Sequence, residues 1–355
     1  MLTTPDLFED LGHALATDYF FLREQLTDQQ LDVLRRVRLF VDDEVLPVIG
    51  GYWERAEMPW PLVHRLGELG VVGEDISGYG CPGLDPITCG LIHMELNRGD
   101  GSLGTFLGVQ SGLAMKSIAL LGSEEQKQRW LPRMARLEAL GAFALTEPDH
   151  GSDSVALSTS ARRDGDEYVI EGKGSLRAIW QAQIELDEVR VPADNRLPGA
   201  RSFKDTARVL AGTRSTCAWA ALGHAVAAYD TALTYSKRRE QFGRPLCSFQ
   251  IVQDRLVKML AEVTGMQLYC LQIGRLAERG QLSDTIAGLA KLNNTRKARQ
   301  ICAEARDMLG GNGILLENHV IRHMADIEAI HTYEGTETMQ TLIVGRDITG
   351  VGAFA

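Results

Sequence analysis

The spacing of apolar residues changes twice along the chain, and those two changes limit what it can fold into. From Thr27 onward Leu31, Leu34, Val37, Phe40, Val41 and Val45 recur at steps of three and four, the mark of a helix with one buried face. Pro61, Leu62, Leu66, Leu69 and Val71 predict a shorter helix, and two more are expected over 86–97 and 102–121. Gly122 ends the last of these, and Ser123 with Gln126 opens the next as a capping box. Gly78-Tyr79-Gly80-Cys81-Pro82-Gly83 is a loop. The first change comes after about Leu140, where Thr146-Glu147-Pro148-Asp149-His150-Gly151-Ser152-Asp153 cannot continue a helix. Residues 156–161 alternate loosely, Asp164-Gly165 is a hairpin signal before Tyr168-Val169-Ile170, and 184–191 reads as a strand. After Pro198-Gly199 helical spacing returns for good. It gives helices near 206–236, from Phe249 to Cys270 with Ser248 as N-cap, from Ser283 to a stop at Gly310-Gly311, and across Met339–Arg346. The expected fold class is α+β: an N-terminal all-α domain (1–140), a middle β domain (141–197) and a C-terminal four-helix bundle (198–355).

At 355 residues the chain can bury a sizeable core, and its 45% hydrophobic and 24% charged content is that of a globular protein. A net charge of -10 leaves no basic face for nucleic acid. No apolar run approaches the roughly 18 residues of a membrane span. The acidic start, Met1 to Asp10, does not read as a targeting peptide. Cys81, Cys89, Cys217, Cys247, Cys270 and Cys302 form no CxxC pairs, which suits reduced thiols and a cytoplasmic location.

Few local motifs carry chemistry alone. His319 and His323 lie four apart without further ligands at metal spacing, so no metal is expected. His150 has no GxSxG serine to serve. Gly310-Gly311-Asn312-Gly313 is either a helix C-cap or a turn whose bare backbone admits a planar or phosphate-bearing ligand. Lys237-Arg238-Arg239-Glu240-Gln241-Phe242-Gly243 is either a solvated helix end or a phosphate contact. Glu334, one residue before Gly335, is either an acid near a helix start or a carboxylate turned away from the helix body.

Taken in order, Phe143-Ala144-Leu145-Thr146-Glu147-Pro148 with Gly151-Ser152-Asp153, Arg239 with Gln241-Phe242-Gly243-Arg244-Pro245-Leu246, Leu309-Gly310-Gly311-Asn312-Gly313, and Tyr333-Glu334-Gly335-Thr336 resemble the acyl-CoA dehydrogenase family over nearly the whole chain. Ala305 to Gly313, Val320-Ile321-Arg322-His323 and Arg346-Asp347-Ile348-Thr349-Gly350 are similar to its glutaryl-CoA dehydrogenase and plant short-chain acyl-CoA oxidase branch. The resemblance implies FAD and a coenzyme A thioester. Glu334 would take the α-proton, with its pKa raised by burial, while the backbone N–H beside it helps hold the enolate oxygen. By the same resemblance Phe143, Leu145, Thr146, Ser152, Arg239, Gln250, Leu309, Gly310, Gly311, Asn312, Gly313, Thr336 and Phe354 would bind the cofactor. Gly104, Thr105, Ser152, Arg214 and Gly335 would meet the substrate. A homotetramer is implied, with electron-transfer flavoprotein as acceptor, or O2 if the protein is an oxidase. A flavin-free acyl-CoA-binding scaffold is the third reading.

Two departures from the family stand out. Members carry a Trp-containing strand and several further strands between segments like Val169-Ile170-Glu171-Gly172-Lys173 and Ile184–Val191, and here they are missing. The expectation is a sequence joined across absent residues near Gly172; an unbroken backbone, with neighbouring Cα atoms about 3.8 Å apart, would instead mean a genuine shortening that weakens the case for flavin. The second departure is Gly104, which stands where glutaryl-CoA dehydrogenases place an arginine for the distal carboxylate. An unpaired carboxylate in an apolar pocket is costly, so a short uncharged acyl chain is expected.

Overall fold

The computed structural model describes residues 17–176 and 182–353, so Phe354 lies outside the described residues. The helices, in chain order, are α1 (Asp28–Phe40), α2 (Leu46–Glu54), α3 (Trp60–Leu69), α4 (Pro86–Gly99), α5 (Gly101–Leu107), α6 (Lys116–Leu121), α7 (Glu124–Ala135), α8 (Phe203–Arg238), α9 (Gln250–Glu278), α10 (Asp284–Met308), α11 (Val320–Thr332) and α12 (Glu337–Thr349). The strands are the short pair β1 (Ser77–Gly78) and β2 (Cys81–Pro82), the sheet β3 (Ser160–Asp164), β4 (Glu167–Leu176) and β5 (Ala182–Pro192), and the short pair β6 (Glu240–Gln241) and β7 (Arg244–Pro245). Helix is interrupted by one small sheet, as an α+β chain requires.

Several helices begin where side-chain chemistry says they should. Thr27 with Gln30 and Ser123 with Gln126 form reciprocal capping boxes, and the Ser283 hydroxyl accepts from Ile286 N–H. Ser248 does not cap α9. Its hydroxyl donates to the Pro245 carbonyl at 2.7 Å, which spends it on the preceding turn, and Phe249 takes the N-cap position without a side-chain bond.

The chain divides into two compact units. The first joins the segment up to Leu62 with 85–104 and 214–355. Its core is formed by Leu34, Leu91 and Met94 with Trp219, Leu222, Val226, Met259, Val263, Met266, Ile301 and Ile327, so that one apolar interior is shared by α1, α4 and the four C-terminal helices α8 to α11.

The second unit holds 63–84 and 105–213. Buried Gln110 sets the course of its chain after α7. Its Nε2 donates to the carbonyls of Met134 (3.2 Å) and Ala139 (3.1 Å), and its Oε1 accepts from Gly141 N–H at 2.7 Å. Sheet β3–β4–β5 is antiparallel throughout, turned at Gly165, whose φ is +60°. Strand β4 passes through Gly172, Lys173 and Gly174 paired with Leu186, Glu185 and Ile184, with a register shift between Ile170 and Gly172. That irregularity, a β-bulge, falls where the family's further strands are missing from the sequence. The sheet is a shortened one, and β3 is exposed along its whole length.

Candidate active site

Glu334 lies between α11 and α12, half-buried, with a left-handed backbone (φ +55°), and Gly335 follows at φ +89°. A non-glycine residue pays for that conformation, so neighbouring groups must hold it. Three of them do. Tyr333 N–H closes α11 on the Ala329 carbonyl at 2.9 Å, and the Thr336 hydroxyl opens α12 by accepting from Met339 N–H at 3.3 Å. Between these ends Gln340, fully buried on α12, donates Nε2 to the Glu334 carbonyl (2.8 Å) and the Gly335 carbonyl (3.4 Å). From α10 the Lys291 ammonium donates to the carbonyls of Tyr333 (2.5 Å), Gly335 and His331 (3.5 Å). Burial pushes the Lys291 ammonium below the ordinary lysine range, and Cys217 and Glu334 oppose that shift. A side chain cannot replace the hydrogen of Gly335, since a Cβ there would lie 2.5 Å from Gln340 Nε2.

Arg214, expected at coenzyme A, sits on α8 in the same unit and pairs with Asp284 at 3.2 Å, while its buried Nε has no partner. Gly104 is buried in α5 against Asn97, whose Nδ2 donates to the His93 carbonyl at 2.8 Å. A Cβ at Gly104 would stand 2.1 Å from that nitrogen. Thr105, the next residue, is half-buried.

Leu309 is buried at the end of α10, and Gly310–Ile314 is a 3-10 turn entered through Gly310 at φ +58°. Asn312 donates Nδ2 to the Tyr235 hydroxyl at 2.8 Å, and its carbonyl accepts from Asn318 Nδ2, so the turn is held from behind. Gly313 is buried, whereas a Cβ at Gly310 or Gly311 would meet nothing within 4 Å. That leaves one backbone surface open to a ligand. Arg239 and Gln250 are exposed on either side of the β6–β7 hairpin, at whose tip Phe242 is 92% exposed. In the other unit Phe143, Leu145 and Thr146 are half-buried and Ser152 is exposed. Their segment is pinned by Glu147, whose carboxylate accepts from Ser158 N–H (2.8 Å), Ser158 hydroxyl (2.7 Å) and Thr159 N–H (2.8 Å). Hydrogen bonds from Thr159 and Ser158 bring its pKa down to about 2.

Lys291, Gln340, Asn97 and the pinning role of Glu147 were not expected from the sequence. The one available signal was a lysine one turn from the small residues Ala287 and Gly288 of α10. The two histidines considered as ligands have other partners: His319 Nδ1 meets Arg322 Nη2 at 2.9 Å, and His323 Nδ1 meets His224 Nδ1 at 2.8 Å. Among the described residues no group of three or more His, Cys, Asp or Glu side chains is placed to hold a metal, and no helix is long and apolar enough to cross a membrane.

Comparison with known proteins gives this geometry a family. Residues 27–138 match the N-terminal domain of acyl-CoA dehydrogenases and 203–349 the C-terminal domain. The chain is 31% identical to a probable acyl-CoA dehydrogenase, YngJ, of Bacillus subtilis (strain 168), over 91% of this chain and 99% of the relative. It is 30% identical to the mitochondrial short-chain specific acyl-CoA dehydrogenase of Bos taurus, over 86% and 87%. A solved glutaryl-CoA dehydrogenase from Mycobacterium smegmatis in complex with FADH2 superposes with a TM-score of 0.92 at 34% identity, over 96% of this chain and 99% of that one. The chain belongs to the acyl-CoA dehydrogenase family. It is an FAD-dependent oxidoreductase acting on acyl-CoA thioesters. The Bacillus alignment spans 375 positions, whereas 91% of 355 residues is about 323, so about fifty positions of the relative face gaps here.

The residues present fit FAD. The open backbone at Gly310 and Gly311, braced by Tyr235 and Asn318, and the exposed Arg239 suit a phosphate-bearing planar group.

Proposed function

We propose that the protein removes the α- and β-hydrogens of a short, uncharged acyl-CoA thioester to give the trans-2-enoyl-CoA, with Glu334 as the base. The reading rests chiefly on the turn at Glu334, a carboxylate in a costly backbone conformation that buried groups from two helices maintain. Glu334 takes the proton made acidic by the thioester carbonyl, and the N–H beside it donates to the oxygen as charge develops there. FAD, when bound, accepts the β-hydrogen as hydride. Phe143, Leu145, Thr146, Ser152, Arg239, Gln250, Leu309, Gly310, Gly311, Asn312, Gly313 and Thr336 would hold FAD; Gly104, Thr105, Ser152, Arg214 and Gly335 would meet the thioester.

The choice of substrate follows from Gly104 and Asn97. Asn97 Oδ1 is buried without a partner, and Gly104 has no room for a cationic side chain. A distal carboxylate would then have no cation from this position to pair it. Glutaryl-CoA is therefore disfavoured, although the Mycobacterium smegmatis relative bears that substrate's name. An uncharged acyl chain carries no such penalty.

Electrons would pass to an electron-transfer flavoprotein, from a cytoplasmic homotetramer whose copies complete one another's FAD sites around Arg239 and Gln250. The family's three-part division, 1–140, 141–197 and 198–355, is proposed with it. The decisive test is Glu334→Gln, assayed with butyryl-CoA and an artificial acceptor. A loss of about 10²–10⁴ in kcat with retained flavin is expected. Undiminished turnover would remove Glu334 as base, and rapid reoxidation of the reduced protein in air would replace the dehydrogenase by an oxidase.

A further inference from the structure

We infer that Lys291 is a positioning residue for the reaction: seated on three main-chain carbonyls, its ammonium holds the turn that presents Glu334. The inference rests on Glu334 being the base.

Lys291 is 1% exposed, and all its hydrogen bonds go to the backbone of 331–335. Burying an ammonium is costly, and a helix interior offers many apolar residues that would fill the same volume without that cost. What no apolar residue supplies is three donors on one atom, directed at three carbonyls in the last turn of α11 and just beyond it. Satisfying the Tyr333 carbonyl fixes the peptide plane before Glu334, and satisfying the Gly335 carbonyl fixes the plane that follows Gly335. Gln340 secures the Glu334 carbonyl between them. The turn is thus held by one charged and one neutral donor. The packing also carries further outward: His331 Nδ1 meets the Thr295 hydroxyl at 3.2 Å, and Arg296 pairs with Glu337. Helix α10 therefore grips the chain before and after Glu334.

A second consequence follows from charge. The groups acting on Lys291 are Cys217 and Arg214 from α8 and Glu334 from the turn, and Lys291 in turn acts on His331. The ammonium and the Glu334 carboxylate attract one another, an interaction a neutral replacement would remove.

The test compares Lys291→Met, Gln340→Met and Glu334→Gln in the flavin-loaded protein. Lys291→Met is expected to lower kcat at least about tenfold, as small misplacements of a reacting group do, with KM for butyryl-CoA changed by less than about threefold. The acid limb of its kcat/KM profile should move to higher pH. Gln340→Met should lower kcat while leaving that limb in place. A folded Lys291→Met protein with wild-type kcat and an unmoved acid limb would overturn the inference. If Lys291→Met does not fold, Gln340→Met decides, and wild-type kcat there overturns it. Glu334→Gln separates the two failures: an active Glu334→Gln protein defeats the base assignment itself, whereas an inactive one beside a fully active Lys291→Met defeats only the role of Lys291.

Discussion

Arg322 Nη1 donates to Asp100 Oδ2 at 2.8 Å, and both side chains are shut off from solvent. Asp100 also accepts from Ser102 N–H at 2.9 Å, so one carboxylate ties the start of α5 to α11, and Arg322 reaches back to the Gly99 carbonyl. Arg322→Met would leave that carboxylate buried and unpaired. The expected cost is about 3–5 kcal/mol in urea unfolding, with most of it recovered by adding Asp100→Asn.

The proposed substrate preference can be tested at Gly104. Gly104→Arg alone should not create turnover of glutaryl-CoA, because the Cβ meets the Asn97 amide before the guanidinium reaches any pocket. The single variant should lose stability, by about 1–3 kcal/mol as overpacking does. Gly104→Arg with Asn97→Gly is expected to raise kcat/KM for glutaryl-CoA relative to butyryl-CoA, and an unchanged ratio would show that Gly104 does not face the acyl chain.

Gly335→Ala places a methyl group 2.5 Å from Gln340 Nε2 at a backbone angle only glycine adopts freely. It should lower stability by about 1–3 kcal/mol and lower kcat more than KM. Thermal unfolding and steady-state kinetics on the same preparation check both.

Acid should weaken the first unit well before carboxylates titrate. Burial is the main reason that His224 falls to about 3 and His323 falls with it. Unfolded histidines take up protons below about 6.5 while the buried pair does not, so this stability is complete above that pH and is lost as pH falls. Glu147 has the same sign lower down: its contribution is present above the ordinary carboxylate range and disappears as pH falls toward about 2. Urea midpoints should therefore drop between about pH 7 and pH 5, and His224→Gln should flatten that slope.

How much of this could be read in the sequence depended on distance along the chain. Thr27, Ser123 and Ser283 lie three residues from the N–H groups they cap, so local chemistry sufficed. Asp164-Gly165 marked its hairpin for the same reason. Ser248 misled because a hydroxyl near a helix start had a closer carbonyl to bond, that of Pro245. The missing strands near Gly172 could be read from family length alone, and the irregularity in β4 falls at the same place. The residues that hold Glu334 were hidden for a different reason. Lys291 lies 42 positions from Tyr333, and nothing in either neighbourhood records that they meet. Asn97 and Gly104 were visible as residues, but their mutual exclusion is a matter of ångströms.

That exclusion is part of the packing itself. The Asn97 amide is bonded to its own helix through the His93 carbonyl, so the group that fills the space at Gly104 is itself fixed in place. Any lineage that moves it to admit a larger residue at 104 gives up that hydrogen bond in the same step. Changes at either position should therefore arrive as paired substitutions, the second one repairing what the first has loosened.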